Sequence, residues 1–313
     1  MTRASTTMRV AITGASGLIG AALTASLRAD GHEVVALVRR PPRPTGDHGI
    51  HERTWDPANG SLDPSALEGV DAVVNLAGAG IGDHRWTEAY QRTIRDSRVR
   101  GTELIAHTLA GLHDPPAVLL SGSAIGIYGD RGDEVLDETS PTGAGFLADV
   151  CRQWEAATTA ASDAGARVAH LRSGVVLSPT GGALRKQLPL FRLGLGGRFG
   201  SGCQWQSWIS LPDEVAAIRH LLTADVEGPV DLTAPNPVTN GQFTRALGAA
   251  LRRPTVVAVP AFAPRLVLGR ELADALLFQS QRVLPSALER SGFDFTHPTI
   301  GQAFAAVLVR TPS

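Results

Sequence analysis

The chain has 313 residues and a formal net charge of -1, with 43% hydrophobic and 19% charged residues. This composition is typical of a globular protein and excludes general disorder. Lysines and arginines do not collect in one segment, which argues against a nucleic-acid or membrane surface, and no apolar run is long enough to cross a bilayer.

Two further features indicate the compartment. Residues 1–7 lack the apolar stretch of a secretion signal, so we expect a loose tail there. Cys151 and Cys203 have no metal-ligand spacing and make a disulfide framework unexpected. The sequence therefore predicts a cytoplasmic protein without a metal site.

Strand and helix patterns alternate through the first 178 residues. The predicted strands are 8–13, 32–38, 71–76, 117–121 and 167–177, and the predicted helices are 18–27, 85–112 and 146–164. Apolar strands that alternate with helices indicate a parallel sheet covered on both faces. We expect an α/β, Rossmann-type doubly wound domain over residues 8–178.

The pattern changes after Ser178 and predicts a smaller C-terminal substrate lobe over 179–313. Residues 205–235 are expected to return a strand and a helix to the first domain. Asp213 follows a proline and is expected to cap a helix that runs to Thr223. A short strand is predicted at 255–259.

A glycine-rich loop, TGASGLIG (13–20), stands where the first strand meets the first helix. Gly14, Gly17 and Gly20 would allow a tight turn and close approach of backbone to a pyrophosphate, which the helix N-terminus also attracts. A tight turn without a ligand is the alternative interpretation.

Two arginines indicate which dinucleotide is bound. Arg39 and Arg40 end the second predicted strand, where an NAD site usually carries a carboxylate. A guanidinium group suits a ribose 2′-phosphate, so the sequence predicts NADP(H) in preference to NAD(H). Two solvated arginines at the start of a loop are the alternative.

Several longer segments resemble one family. They are TGASGLIG (13–20), NLAG (75–78), RWTEAYQRTIRDSRVRGT (85–102), SGSAIGIYGDRGDE (121–134), RSGVVLSPTGGAL (172–184) and SQRVLPSALERSGFDF (280–295). The chain resembles, from Met8 almost to its end, the atypical short-chain dehydrogenase/reductases, and more narrowly the epimerase family proteins with a C-terminal domain of unknown function. That domain is expected from about residue 254.

The resemblance implies NADP(H) binding and a set of cofactor residues. It places Gly14, Ser16, Gly17, Leu18 and Ile19 at the phosphates, Arg39 at the adenosine phosphate, Leu76 and Ala77 at the middle, and Arg98 and Val176 beside them. Gly20, Arg40 and Gly78 complete the predicted cofactor residues. For Arg98 on its long helix, a solvated surface position is the alternative.

The resemblance fails at the catalytic residues. Reductases of this superfamily use Ser or Thr with a Tyr and a Lys four residues apart, but Leu147 and Cys151 occupy the Tyr and Lys places here. Ser123 falls where the catalytic serine would lie, and Tyr128 is the candidate for a replacement proton donor. The alternatives are a serine that closes a strand end and a tyrosine that anchors a loop.

The leading functional hypothesis is therefore an NADP(H)-dependent oxidoreductase that acts on an unidentified small carbonyl or alcohol. An epimerase or dehydratase of the nucleotide-sugar type is a second hypothesis, and a non-catalytic NADP(H)-binding sensor or interaction protein is a third. A monomer and a homodimer are both compatible with the sequence.

Overall fold

The computed structural model describes residues 7–43 and 50–308. The expected tail at 1–7 lies almost wholly outside these residues. The strands within them are β1 (Arg9–Thr13), β2 (Glu33–Val38), β3 (Ile50–Asp56), β4 (Ser61–Leu62), β5 (Ala72–Asn75), β6 (Val118–Ala124), β7 (Val135–Leu136), β8 (Arg167–Ser173), β9 (Val175–Leu177), β10 (Gly197–Phe199), β11 (Trp205–Gln206), β12 (Trp208–Ser210), β13 (Gly228–Leu232), β14 (Val238–Thr239), β15 (Val257–Val259) and β16 (Arg282–Val283).

The helices of the same residues are α1 (Leu18–Ala29), α2 (Glu88–Ala110), α3 (Phe146–Ala156), α4 (Thr159–Asp163), α5 (Gly182–Arg192), α6 (Leu211–Thr223), α7 (Asn240–Leu251), α8 (Phe262–Leu268), α9 (Arg270–Ala273), α10 (Ser286–Arg290) and α11 (Ile300–Val307). Short 3-10 turns lie at Pro64–Ala66 and Ile125–Tyr128, and a π-helical turn at Asp274–Phe278. None of the helices in 7–43 and 50–308 is long and apolar enough to span a membrane.

The central sheet has the strand order β13-β8-β6-β5-β1-β2-β3-β4. Every neighbouring pair is parallel except β3 and β4, which pair antiparallel at one edge. The connections run in opposite directions from β1, and the crevice at such a switch point is the usual ligand site of this architecture. The predicted Rossmann-type fold is confirmed.

Both faces of the sheet are covered by helices. Val10 and Ile12 of β1 belong to a core cluster with α1 and α6, whereas Ala11 belongs to a second cluster with α2. All three side chains are fully buried. Alternate residues thus meet different helical layers, which explains why the strand is apolar without a break.

Two predicted elements differ from the structure. The predicted helix 146–164 is two helices, α3 and α4, and the predicted strand 167–177 is two strands. Gly174 separates those strands: its N–H donates to the carbonyl of Leu232, and the chain then leaves the central sheet so that β9 pairs with β12.

The expectation that Asp213 caps α6 is wrong. The helix begins at Leu211, and Ser210 Oγ is the cap because it accepts from the N–H of Asp213. The Asp213 carboxylate instead accepts from the N–H groups of Thr296 and His297, both at 2.9 Å. This buried carboxylate therefore ties the C-terminal segment to the start of α6.

The C-terminal lobe has its own apolar core. Residues of α5, α7 and α11 meet there around Trp208, which is fully buried. The lobe is interrupted by β13, which returns to the central sheet and pairs with β8.

Candidate functional site

The glycine loop between β1 and α1 leaves no room for side chains at two positions. Gly14 has a φ of +68°, and a Cβ there would lie 2.9 Å from the carbonyl carbon of Leu76. A Cβ on Gly20 would lie 2.2 Å from the carbonyl oxygen of Gly14. These contacts bring the loop directly against the end of β5, as a phosphate-binding turn requires.

The N-terminus of α1 has no side-chain cap. Gly17 is the N-cap residue, and no side chain accepts a hydrogen bond from the first turn. No acidic side chain lies in that turn either. Free N–H groups at the positive end of the helix dipole form a site for an anion.

A cleft of about 1150 Å³ extends from this loop along the ends of β2 and β5. Of the predicted cofactor residues, Gly14, Ser16, Gly17, Arg39, Arg40, Leu76, Ala77 and Gly78 line it, whereas Leu18, Ile19, Gly20, Arg98 and Val176 do not. The cleft is long, and its two ends carry a helix N-terminus and arginine side chains. Its residues therefore fit a dinucleotide that has phosphate groups at both places.

The two predicted arginines differ in their surroundings. The Arg40 guanidinium forms a bidentate pair with Glu52, with Nη1 2.8 Å and Nη2 2.6 Å from the carboxylate oxygens. The hydrogen bond from Arg40 lowers the pKa of Glu52 to about 2, so this carboxylate is ionised. Arg39 is exposed, and no side chain of the described residues pairs with it.

Sequence reasoning missed further cleft residues. Glu52 lies on β3, which was not predicted, and Arg43 follows the predicted pair. Arg92 and Arg100 reach the cleft from α2. Arg92 and Arg100 are eight residues apart, which places them on one face of the helix. This spacing is the signal in the sequence that could have identified them.

Arg98 lies behind the cleft and is not solvated. The side chain is buried, and Nη1 donates to the carbonyls of Ala79 and Ile94 at 2.9 and 3.0 Å. A Cβ on Gly78 would lie 3.0 Å from the Arg98 Cζ, so the guanidinium supports the cleft wall from beneath. Burial lowers the pKa of Arg98, but an arginine stays charged at neutral pH.

Val176 stands beside the glycine loop from the other side. A Cβ on Gly182 would lie 3.5 Å from both the Val176 carbonyl oxygen and the side chain of Leu18. The β9 strand is therefore adjacent to the first turn of α1.

Tyr128 does not reach the cleft, and the prediction of a proton donor there is wrong. Its side chain is fully buried, and its hydroxyl donates to the Asp231 carboxylate while accepting from Arg172 Nη1 at 2.9 Å. Burial raises the pKa of Tyr128, and the neighbouring Asp231 raises it further. The phenol is an interior hydrogen-bonding group that anchors its loop through side chains.

Ser123 belongs to the same buried cluster. Its hydroxyl donates to Glu155 Oε1 at 2.7 Å, so the serine does not close the strand end on backbone groups. Arg172 binds both Glu155 oxygens, at 2.8 and 2.9 Å. Burial alone would raise the pKa of Glu155, but the hydrogen bonds and charge of Arg172 lower it. Ser123 thus faces an ionised carboxylate.

Leu147 and Cys151, at the positions of the missing Tyr and Lys, have different surroundings. Cys151 is buried, and burial raises the pKa of its thiol to about 11, so it stays protonated. Leu147 lines a second pocket of about 400 Å³, which lies between α3 and the C-terminal lobe.

Comparisons with known proteins agree with this geometry. The NAD dependent epimerase/dehydratase family model matches residues 10–232, and a domain of unknown function (DUF1731) matches residues 259–307. An epimerase family protein of Mycobacterium bovis is 49% identical, over 96% of this chain and 98% of its own.

Two solved structures are similar over most of the chain. Human epimerase family protein SDR39U1 (isoform 2), solved with NADPH, is 35% identical with a TM-score of 0.87, covering 97% of this chain and all of that one. A nucleoside-diphosphate sugar epimerase from Corynebacterium glutamicum is 41% identical with a TM-score of 0.77, covering 96% of this chain and 58% of that one.

Proposed function

We propose, since this chain belongs to the NAD-dependent epimerase/dehydratase family, that it binds NADP(H) and acts as an oxidoreductase on a small carbonyl or alcohol. The observation that carries the proposal is the single cleft that joins an uncapped helix N-terminus to Arg39, with which no side chain of the described residues pairs. The similarity to a human relative solved with NADPH supports the same cofactor.

The phosphate preference rests on the charges at the end of β2. Glu52 would favour a ribose hydroxyl over a phosphate, but Arg40 neutralises its charge through a bidentate pair. Arg39, which has no side-chain partner in the part of the chain that the structure describes, would then bind a 2′-phosphate. This pairing is the reason why a carboxylate in the cleft remains compatible with NADPH.

Arg98 has a different proposed role at the middle of the cofactor. Its buried positive charge lies beneath Gly78 and has only carbonyl partners among the hydrogen bonds of the described residues. A cation held in this position attracts the negative charge of a bound dinucleotide. We propose that Arg98 supports the wall of the cleft between the two regions that would bind phosphate groups.

A bound nicotinamide cofactor supplies hydride exchange, and the protein must then move one proton. Ser123 keeps about 6% of its surface exposed, unlike the fully buried Tyr128, and its hydroxyl would accept a proton from a substrate alcohol while it passes its own proton to Glu155. Arg172 keeps Glu155 ionised and holds both of its oxygens. In the direction of carbonyl reduction, the same proton returns through Ser123.

Calorimetry with NADPH and NADH tests the cofactor assignment. Arg39→Ala is expected to weaken NADPH binding by about tenfold or more and to leave NADH binding unchanged, because only NADPH carries the 2′-phosphate. Arg245→Ala, an exposed arginine on α7, is the matched control. Equal losses for both nucleotides would refute the assignment of Arg39.

Turnover with a panel of carbonyl compounds tests the proton route. Ser123→Ala is expected to lower kcat by about a hundredfold with little change in NADPH affinity. Ser121→Ala is the control, since its hydroxyl lies on the same strand and has no hydrogen-bond partner within residues 7–43 and 50–308. Unchanged kcat in Ser123→Ala would exclude this route.

A non-catalytic NADP(H)-binding protein is the second candidate function. Three observations favour it: Tyr128 is buried, Leu147 cannot exchange a proton, and the Cys151 thiol stays protonated. Tight NADPH binding without consumption of NADPH across the panel would support this candidate over the oxidoreductase.

A further inference from the structure

A second pocket, beyond the carboxyl end of β6, is separate from the cleft at the glycine loop and has no assigned role. It begins at Gly126, two residues after β6 ends, and continues along Phe146–Ala148 at the start of α3. The far wall comes from α9 and the π-helical turn. Leu147 lines this pocket and occupies the position of the superfamily tyrosine. The pocket is therefore adjacent to the place where that tyrosine would act.

The pocket is small and its inner wall is apolar. Its volume is about 400 Å³, near the lower end of the roughly 300–1,000 Å³ of small-molecule sites. The rings of Trp86 and Phe146 meet edge to face with centroids 4.9 Å apart. Trp86 Nε1 donates to the carbonyl of Ile81 at 2.9 Å, so its polar edge is already occupied.

The charged residues of the outer wall differ in their partners. Glu271 and Asp274 are both carboxylates, and Arg270 is the only basic residue among the described ones that line the pocket. Asp274 is paired with Arg265 at 2.7 Å and lies 3.7 Å from Arg270, so its negative charge is compensated. The Glu271 carboxylate accepts from the neutral Gln91 amide at 2.8 Å and has no basic partner among the described residues.

These features exclude one class of substrate and favour another. A diphosphate brings two negative charges and needs cations, whereas this pocket offers the Glu271 carboxylate and an arginine that already lies beside Asp274. A ring of moderate size would instead stack against aromatic side chains without an electrostatic penalty.

We propose that this pocket is the substrate site and that it takes a compact, uncharged aromatic or alicyclic carbonyl or alcohol in place of a nucleotide sugar. This inference rests on the proposed oxidoreductase function. It predicts a substrate that differs from the nucleoside-diphosphate sugar named for one structural neighbour. Glu271 acts as a selectivity residue that rejects anionic substrates.

Binding to the NADPH-saturated full chain tests the inference with three probes. Acetophenone and phenylglyoxylate share one ring and one ketone but differ by a carboxylate, and UDP-glucose represents the nucleotide sugars. Calorimetry and saturation-transfer NMR are expected to show acetophenone binding about tenfold or more tightly than the other two.

Two variants locate the binding. Leu147→Trp fills the pocket and is expected to weaken acetophenone binding by about tenfold or more, while NADPH affinity stays unchanged and reports an intact fold. Glu271→Gln is expected to raise phenylglyoxylate affinity by about threefold to tenfold and to leave acetophenone affinity within about twofold. Glu68→Gln, an exposed carboxylate outside the pocket, is expected to change neither affinity.

Tighter binding of UDP-glucose than of acetophenone would overturn the substrate class. Unchanged acetophenone binding in Leu147→Trp would overturn the location. If the folded protein takes up no NADPH, the proposed function fails, but acetophenone binding to the free protein that Leu147→Trp abolishes would still support the pocket assignment.

Discussion

Glu214 is expected to make the protein less stable as pH rises towards neutrality. Its side chain is fully buried in the first turn of α6, where Oε1 accepts from Ser173 Oγ at 2.6 Å and Oε2 has no partner among the described residues. Burial raises the pKa of Glu214 from 4.5 to about 8. The folded protein therefore holds a proton that the unfolded chain releases.

The sign and size of the effect follow from the two pKa values. Below pH 4.5 both states are protonated, and Glu214 costs no stability through ionisation. Between pH 4.5 and 8 the folded state binds more protons than the unfolded state, so the free energy of unfolding falls by about 1.4 kcal/mol per pH unit. Between pH 5.5 and 7 this amounts to about 2 kcal/mol.

Glu214→Gln removes the titrating group and keeps an acceptor for Ser173. The variant is therefore expected to gain about 2 kcal/mol relative to the wild type when the pH rises from 5.5 to 7. Urea unfolding at several pH values measures the difference, and Glu68→Gln controls for the loss of a surface carboxylate. A difference that is independent of pH would show that Glu214 is not held protonated by burial, and the reasoning would be wrong.

Three other substitutions test separate contacts. Gly20→Ala would force a Cβ to within 2.2 Å of the loop backbone and is expected to lower the free energy of unfolding by about 2 kcal/mol or more, whereas Gly301→Ala on α11 has open space and should change it by less than about 1 kcal/mol. Tyr128→Phe is expected to cost about 1–3 kcal/mol in urea unfolding, because its buried partners lose a hydrogen bond, and to leave kcat unchanged; a large fall in kcat would restore its catalytic role. Arg40→Ala is expected to weaken NADPH binding severalfold by leaving Glu52 unpaired, and addition of Glu52→Gln should restore most of the affinity; no recovery in calorimetry would show that Arg40 contacts the phosphate itself.

The parts of the fold that were predictable from sequence are those buried on both sides. The strands β1, β2 and β5 have continuous apolar runs because helices cover both faces, and their pattern is unambiguous. The β3 strand was not predicted, since IHERTWD lies near the sheet edge and buries only Trp55 fully. Edge strands carry too few apolar residues to differ from a polar loop.

The site was predictable only where the backbone itself is the functional group. Glycines report the backbone conformation directly, so the loop at Gly14 could be inferred from local sequence. The direction of a side chain depends on distant partners, and the sequence gives no sign that Tyr128 meets Asp231, 103 residues further on. The pocket at Leu147 was missed for the same reason, because its second wall starts at Arg270.

The return of β13 to the sheet has a practical consequence for dissecting this protein. A fragment that stops at residue 178 would leave β8 as a bare edge with unpaired amides and carbonyls, and such edges promote aggregation. Leu232 ends both β13 and the stretch matched by the family model. Chimeras and truncations should therefore be cut after that residue. The excised unit then keeps β13, the strand that covers the edge of β8 in the whole protein.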